Sequence, residues 1–419
     1  MLSCNVPEFI RRLADRYKDI FANDQYSSYS GSCALLSYFL LGAHSLSELA
    51  RRCPWTPSVS TLSRQIPCFQ QDRFMKRLRF SILRRYKHRF LTNPEDFCWA
   101  IDDTANPKYG KNSYRSHPWH SSSGPYFGQK IMVLALIDMK GGFAIPVAYM
   151  ICPKKEEIGY ISGPEAAVAL LKSAKENGFP NLPVTMDSWF DSTELMTAIE
   201  ALGMTYVGEA KSKRKSRCNP SRFVPWSKLA DLFGSLPRLR LKRHLKGKSR
   251  GGLKSYSQKR VYIRNRKSMV NMIAVYNRFN GKKAFGYYCS TDLTMSGERI
   301  WELSRARWKI EVMFRDLKQH LSFGKLPCCT EAAAHLAVCL PLMLYVELRL
   351  NMPKEMIGNR VTSTIGDQVD RLREETLMQS ITLLIDTPPH FKTVVTKLRS
   401  RRHQSRLNKK PVNQSAEAA

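Results

Sequence analysis

Asp103, Asp187 and Glu311 are the acidic side chains whose placement could do chemistry. Asp103 closes a short apolar run, Phe97-Cys-Trp-Ala-Ile, and precedes Thr104. Asp187 closes a second, Pro183-Val-Thr-Met, in the stretch Met186-Asp-Ser-Trp-Phe-Asp191. Glu311 falls inside a long helical pattern, Ser296 to Leu321. Three converging carboxylates could hold two Mg²⁺ ions about 4 Å apart, the arrangement that serves phosphoryl transfer on DNA. One ion would activate water or a 3′-hydroxyl, and the other would stabilise the leaving oxygen. Asp102 competes with Asp103, since neighbours in a strand point to opposite faces. With the strand ending at the pair, Asp103 is taken as the ligand and Asp102 as a turn or supporting residue.

The elements around these acids set the fold class. Lys130 to Asp138 reads as a second strand, and Gly141-Gly142 as a hairpin turn into a third, Phe143 to Ile151. Pro164 opens a helix that Gly178 stops. Pro183 to Asp187 is a fourth strand, Ser192 to Leu202 a helix, and Met204 to Gly208 a fifth strand. Three strands pairing as a meander, followed by α-β-α-β, is the ribonuclease H-like order. It sets the first and fourth strands side by side at the centre, so their acids are neighbours. In the helical pattern Arg307, Glu311 and Lys318 share one face, with Ile310, Phe314, Leu317 and Leu321 as a separate apolar stripe. Ala332 to Leu350 is expected as a buried helix.

The charge identifies the partner. The chain has 419 residues, with 67 Lys and Arg against 35 Asp and Glu, a net charge of +32. Apolar residues make up 43% and aromatics 10%, enough for a sizeable core. Between Lys211 and Lys283 there are 23 basic residues and one acid, Asp231, or 23 − 1 = +22. Trp226, Tyr256, Tyr262 and Tyr276 interleave with those charges, and Arg260 to Arg264 and Met269 to Tyr276 read as paired strands. A basic β-rich insertion that grips phosphates is expected, ahead of an anionic membrane surface. Eleven cysteines, an odd number with no CxxC pair, point to a reduced, intracellular protein, and with a nucleic-acid partner it is expected in the cytoplasm at the nucleoid. No run is long and apolar enough for a membrane span, and no secretory signal is visible at the start.

Residues 1–94 read as a helical DNA-binding domain. His44 to Cys53 and Ser60 to Ile66 are two short helices broken by Pro54, Pro57 and Ser58. They suggest a helix-turn-helix whose second helix would offer Thr61, Arg64 and Gln65 to the major groove; an ordinary helical hairpin is the alternative. Residues 95–209 are the first part of the core, 210–292 the insertion, and 293–350 the second part carrying Glu311. Residues 351–390 form a helical C-terminal region, and 391–419 a basic, disordered tail.

Arg307-x3-Glu311-x6-Lys318 resembles the Y-x2-R-x3-E-x6-K signature of the DDE-type insertion-sequence transposases, cut-and-paste enzymes of bacteria and archaea. Ala100-Ile-Asp-Asp-Thr104 and Met186-Asp-Ser-Trp-Phe190 look like that family's two aspartate motifs, and the basic insertion stands where the family carries one. The resemblance covers about residues 95–350. It implies Asp103, Asp187 and Glu311 as a metal triad for two Mg²⁺ or Mn²⁺ ions, with Arg307 and Lys318 on the terminal phosphates. It also implies inverted-repeat ends and target DNA as substrates, bound by a homodimer. The signature tyrosine falls at Ser304; Trp301 and Trp308, a turn to either side, are its possible substitutes. Trp226 and Tyr256 are candidates to receive a flipped base, with a place in the core as the favoured alternative for either. Two other readings share these residues: a non-catalytic DNA-binding regulator derived from a transposase, and a nuclease acting on RNA hybrids or junctions.

Overall fold

The structure, a computed structural model, describes residues 6–17, 28–53, 56–108, 112–121, 124–211, 213–217, 223–225, 237, 239–241, 254–277, 284–327, 329–351, 356–357, 360–361 and 364–386. Its central sheet forms because long apolar runs alternate with amphipathic helices. Strands β1 (Phe97–Pro107), β2 (His117–Ser121), β3 (Gly124–Asp138) and β4 (Phe143–Ile151) come first. The parallel strands β5 (Val184–Met186) and β6 (Tyr206–Glu209) follow. β1 pairs antiparallel with β3 and parallel with β5; β3 pairs antiparallel with β4, and β5 parallel with β6. The order β4-β3-β1-β5-β6 defines a ribonuclease H-like core, with β1 and β5 adjacent at its centre. The hairpin at Gly141-Gly142 forms as expected, with Gly142 at φ +76°.

Two elements differ from the sequence expectation. β1 does not end at Asp103 but runs on to Pro107, because Thr104 to Pro107 still pair with β3 from Ile131 to Gly128. β2 was not expected; its polar residues, His117, His120 and Ser121, hide a short strand that pairs with the start of β3.

The insertion extends the same sheet. Among the described residues β7 (Lys215–Arg217), β8 (Val224–Pro225), β9 (Leu239–Arg240), β10 (Ser255–Ile263), β11 (Met269–Tyr276) and β12 (Gly286–Ser290) follow β6. β10 and β11 form the expected hairpin, and β12 joins it to β6.

Helices cover the sheet. The N-terminal set is α1 (Glu8–Tyr17), α2 (Ser28–Leu41), α3 (Leu46–Arg52), α4 (Val59–Gln65) and α5 (Gln71–Thr92). Ser45 and Ser58 cap α3 and α4, accepting from the backbone N–H groups of Glu48 and Thr61. Arg64 is exposed, but Gln65 is 1% exposed and turned into the core, so it cannot reach a groove of DNA as expected. In the core, α6 (Gly163–Glu176) starts at the Ser162 and Glu165 capping box, and α7 (Thr193–Ala201) precedes β6. The single long helix expected from Ser296 is two, α8 (Gly297–Ala306) and α9 (Trp308–His320), meeting at Arg307. The apolar α10 (Glu331–Asn351) is long enough to cross a membrane, yet it lies mostly buried as the core helix expected from sequence. A short hairpin of β13 (Met356–Ile357) and β14 (Arg360–Val361), then α11 (Ile365–Asp386), complete the described chain.

One ion pair ties the helical layer to the sheet. Asp138, 2% exposed at the end of β3, accepts from Arg89 of α5 at 2.5 and 3.0 Å and from the Tyr86 hydroxyl at 3.3 Å. Removing one partner of such a pair strands the other charge away from water. Arg89→Ala is expected to cost about 3 kcal/mol in urea unfolding, and Asp138→Asn added to it should recover part of that loss.

Candidate active site

The sheet register decides which acids meet. On the parallel pair, Trp99 is level with Val184 and Ala100 with Thr185. Two residues further along, Asp102 comes level with Asp187, whose backbone is still extended at φ −80° and ψ 176°. Met186 is level with Gly208, so the next step sets Asp187 beside Glu209 at the end of β6. Residues level across parallel strands point to one face. Asp102, Asp187 and Glu209 therefore form a row of carboxylates across β1, inside the strand, and the C-terminal ends of β5 and β6.

Glu311 joins this row from the first turn of α9. Arg307, at the junction of α8 and α9, places its guanidinium between Glu311 Oε1 at 2.7 Å and Asp102 Oδ2 at 3.1 Å. The group is electrostatically tense. Burial pushes the Asp102 carboxyl up to about 7; Arg307 opposes that shift, while Asp187 and Asp103 add to it. Burial likewise raises Glu209, with Arg307 opposing and Asp187 adding.

Asp103 points the other way. It lies inside a strand, so its side chain leaves the face that Asp102 shares with Glu311. Lys130 holds it at 2.8 Å, and the same ammonium sits 4.3 Å from the Trp189 ring centre. The structure thus gathers Asp102, rather than Asp103, with Glu311 beneath Arg307. The sequence reading favoured Asp103, because the apparent end of the strand hid the alternation. Glu209 was missed as well; a strand read to Gly208 leaves out the residue that lines up with Asp187.

The other expected residues take varied positions. Lys318 is exposed on the last turn of α9, and partial desolvation by surrounding protein lowers its ammonium pKa. Ser304 donates to the Ile300 carbonyl at 2.8 Å and lines a small pocket with Glu209, Tyr288, Arg305, Arg307 and Trp308. Trp308 is 54% exposed there, whereas Trp301 packs edge-on against Phe285 and Tyr288. Tyr288 of β12 is an aromatic side chain of this pocket that the sequence did not single out; burial and then Glu209 push its hydroxyl up to about 12. Tyr256 is buried and packs beneath Gly297 at the start of α8, so it belongs to the core and offers no platform for a base. Trp226 and the tail lie outside the described residues.

The donor set suits a divalent cation of the Mg²⁺ type. It consists of carboxylate oxygens, the ligands such hard ions take. Among the described residues no three His, Cys, Asp or Glu side chains stand close enough together to hold a metal ion. The guanidinium of Arg307 lies between two of the carboxylates, Asp102 and Glu311.

Fold and site together define a ribonuclease H-like protein with carboxylates level with one another across its central parallel strands. The model of the transposase DDE domain matches residues 100–346, more than half of the chain, and the protein belongs to that family. No curated protein matches the chain. A solved structure similar to it is a piggyBac transposase synaptic complex with hairpin DNA, 10% identical, covering 99% of this chain and 86% of that one at a TM-score of 0.45. The family match makes the protein a DDE-type transposase.

Proposed function

We propose that this transposase cleaves the ends of an insertion sequence and joins them to target DNA, using two Mg²⁺ or Mn²⁺ ions. The observation that carries this reading is the Arg307 guanidinium held between Asp102 and Glu311, with Asp187 on the strand beside Asp102. These three would hold the ions, and Glu209 would complete the row beside Asp187. The ions, when bound, would activate the attacking oxygen and stabilise the leaving one.

The chain's own residues do the rest. Arg307 balances the carboxylates before substrate arrives; on the DNA its planar fork suits a terminal phosphate, with Lys318 as a second phosphate contact. Lys130 pairs with Asp103 on the opposite face, from which Asp103 adds to the like-charge repulsion on Asp102. Arg64, exposed on α4, would meet the inverted-repeat end, and the basic insertion would hold the duplex backbone. Two copies would act together on the paired ends.

The test uses labelled duplexes from the DNA flanking the protein's own gene, with Mg²⁺, Mn²⁺ or EDTA. Metal-dependent nicking and joining at one repeat boundary, lost in Glu311→Gln, is the expected result. Tight, salt-sensitive binding with no cleavage under any metal would instead make the chain a DNA-binding regulator.

A further inference from the structure

A groove of 1010 Å³ lies away from the carboxylates, walled by α5, the ends of α1 and α10, and Asn177 after α6. The groove shares no lining residue with the carboxylate row, and Arg79 on its α5 wall donates to the Val147 carbonyl of β4. The two surfaces are therefore built from different residues.

The groove is cationic by construction. α5 carries eight Lys and Arg residues against a single acid, Asp72. At about 100° per residue, Arg73, Lys76, Arg77 and Arg84 fall within roughly 100° of one another. Phe74, Leu78, Ile82 and Tyr86 fall opposite, buried in the core. Arg73, Lys76 and Arg84 are exposed. Arg16 at the end of α1 faces this stripe, and its backbone carbonyl accepts from Arg77 at 2.8 Å, which joins the two walls. Among the described residues that line the groove, none is acidic. Phe80, 66% exposed, sits within the stripe.

A solvated helix face usually mixes both signs of charge, as i,i+4 pairing favours. Here one sign runs along a concave wall for about 16 Å, the length of roughly five base-pair steps. We propose that this groove seats the sugar-phosphate backbone of a DNA duplex, as a second binding surface distinct from the carboxylate site. Taking DNA as the polyanion rests on the proposed function; the groove's preference for a regular polyanion does not. Strand transfer involves two duplexes, and a surface that shares no residue with the carboxylate site can hold one while the other reacts.

The test compares the full-length protein with Arg73→Glu/Lys76→Glu/Arg84→Glu, and with the same three positions changed to Gln as a milder set. Binding of a 40-base-pair duplex of arbitrary sequence is followed by fluorescence anisotropy from 0.05 to 0.3 M salt, beside thermal unfolding. The expected result is an affinity at least about tenfold lower, a log K against log salt slope smaller by roughly 2 to 3, and an unchanged melting temperature. Unchanged affinity and slope in both folded variants would overturn the proposal. So would intact duplex binding with lost binding to phosphatidylserine vesicles, which would make the groove a membrane contact. Wild-type protein that shows the groove-dependent slope but never cleaves would leave the groove standing and remove the cleavage reading.

Discussion

Asp102→Asn is expected to lower DNA cleavage by on the order of a thousandfold or more, while Asp103→Asn stays within about tenfold of the wild type. The contrast follows from strand geometry. Both residues lie within β1, so they leave the sheet on opposite faces, and only Asp102 reaches the face of Asp187 and Glu311. Asparagine keeps the shape of the side chain but supplies one weak neutral acceptor in place of a charged ligand. At Asp103 the change instead releases Lys130, which remains against Trp189, and the effect reaches the site only through the field at Asp102. Cleavage of a labelled end duplex under single-turnover conditions measures both, with DNA affinity of each variant measured in parallel. Loss of binding alone should be small, since neither side chain contributes positive charge to the duplex.

Arg307 is expected to show two opposite effects. Its guanidinium neutralises Asp102 and Glu311 at 3.1 and 2.7 Å, so it competes with a cation for the same oxygens. Arg307→Gln should strengthen Mn²⁺ binding by about tenfold, equivalent to roughly 1.4 kcal/mol of relieved competition. The same change should lower cleavage by about a hundredfold, because a bidentate phosphate contact is lost. Arg307→Lys should fall between, as an ammonium cannot span both carboxylates with its donors. Weaker metal binding in Arg307→Gln would show that the guanidinium supports the ligands and does not compete with the ion.

Much of this arrangement was visible in the residues. The strand order of the core, the capped helix at Pro164 and the buried helix from Ala332 follow from apolar periodicity and turn residues, and all appear in the structure. The Arg307 and Glu311 pairing follows from i,i+4 spacing and forms across the junction of α8 and α9, because Arg307 keeps helical angles there. The face of Asp102 was not readable. It depends on β1 continuing through Thr104-Ala-Asn-Pro, a polar stretch that pairs only because β3 lies alongside it. Glu209 was hidden for a related reason: its alignment with Asp187 is a register between strands far apart in sequence. Gln65 shows the same gap on a helix, where a polar residue in a short amphipathic segment is buried by the neighbouring α2.

The measurement closest to the central claim is a Mn²⁺ titration followed by electron paramagnetic resonance, on the full-length protein without DNA, comparing wild type with Asp102→Asn and Asp103→Asn. Binding that disappears in Asp102→Asn and persists in Asp103→Asn is the expected result. Binding that persists in Asp102→Asn and disappears in Asp103→Asn would contradict the placement of the metal site on the face shared by Asp102, Asp187 and Glu311.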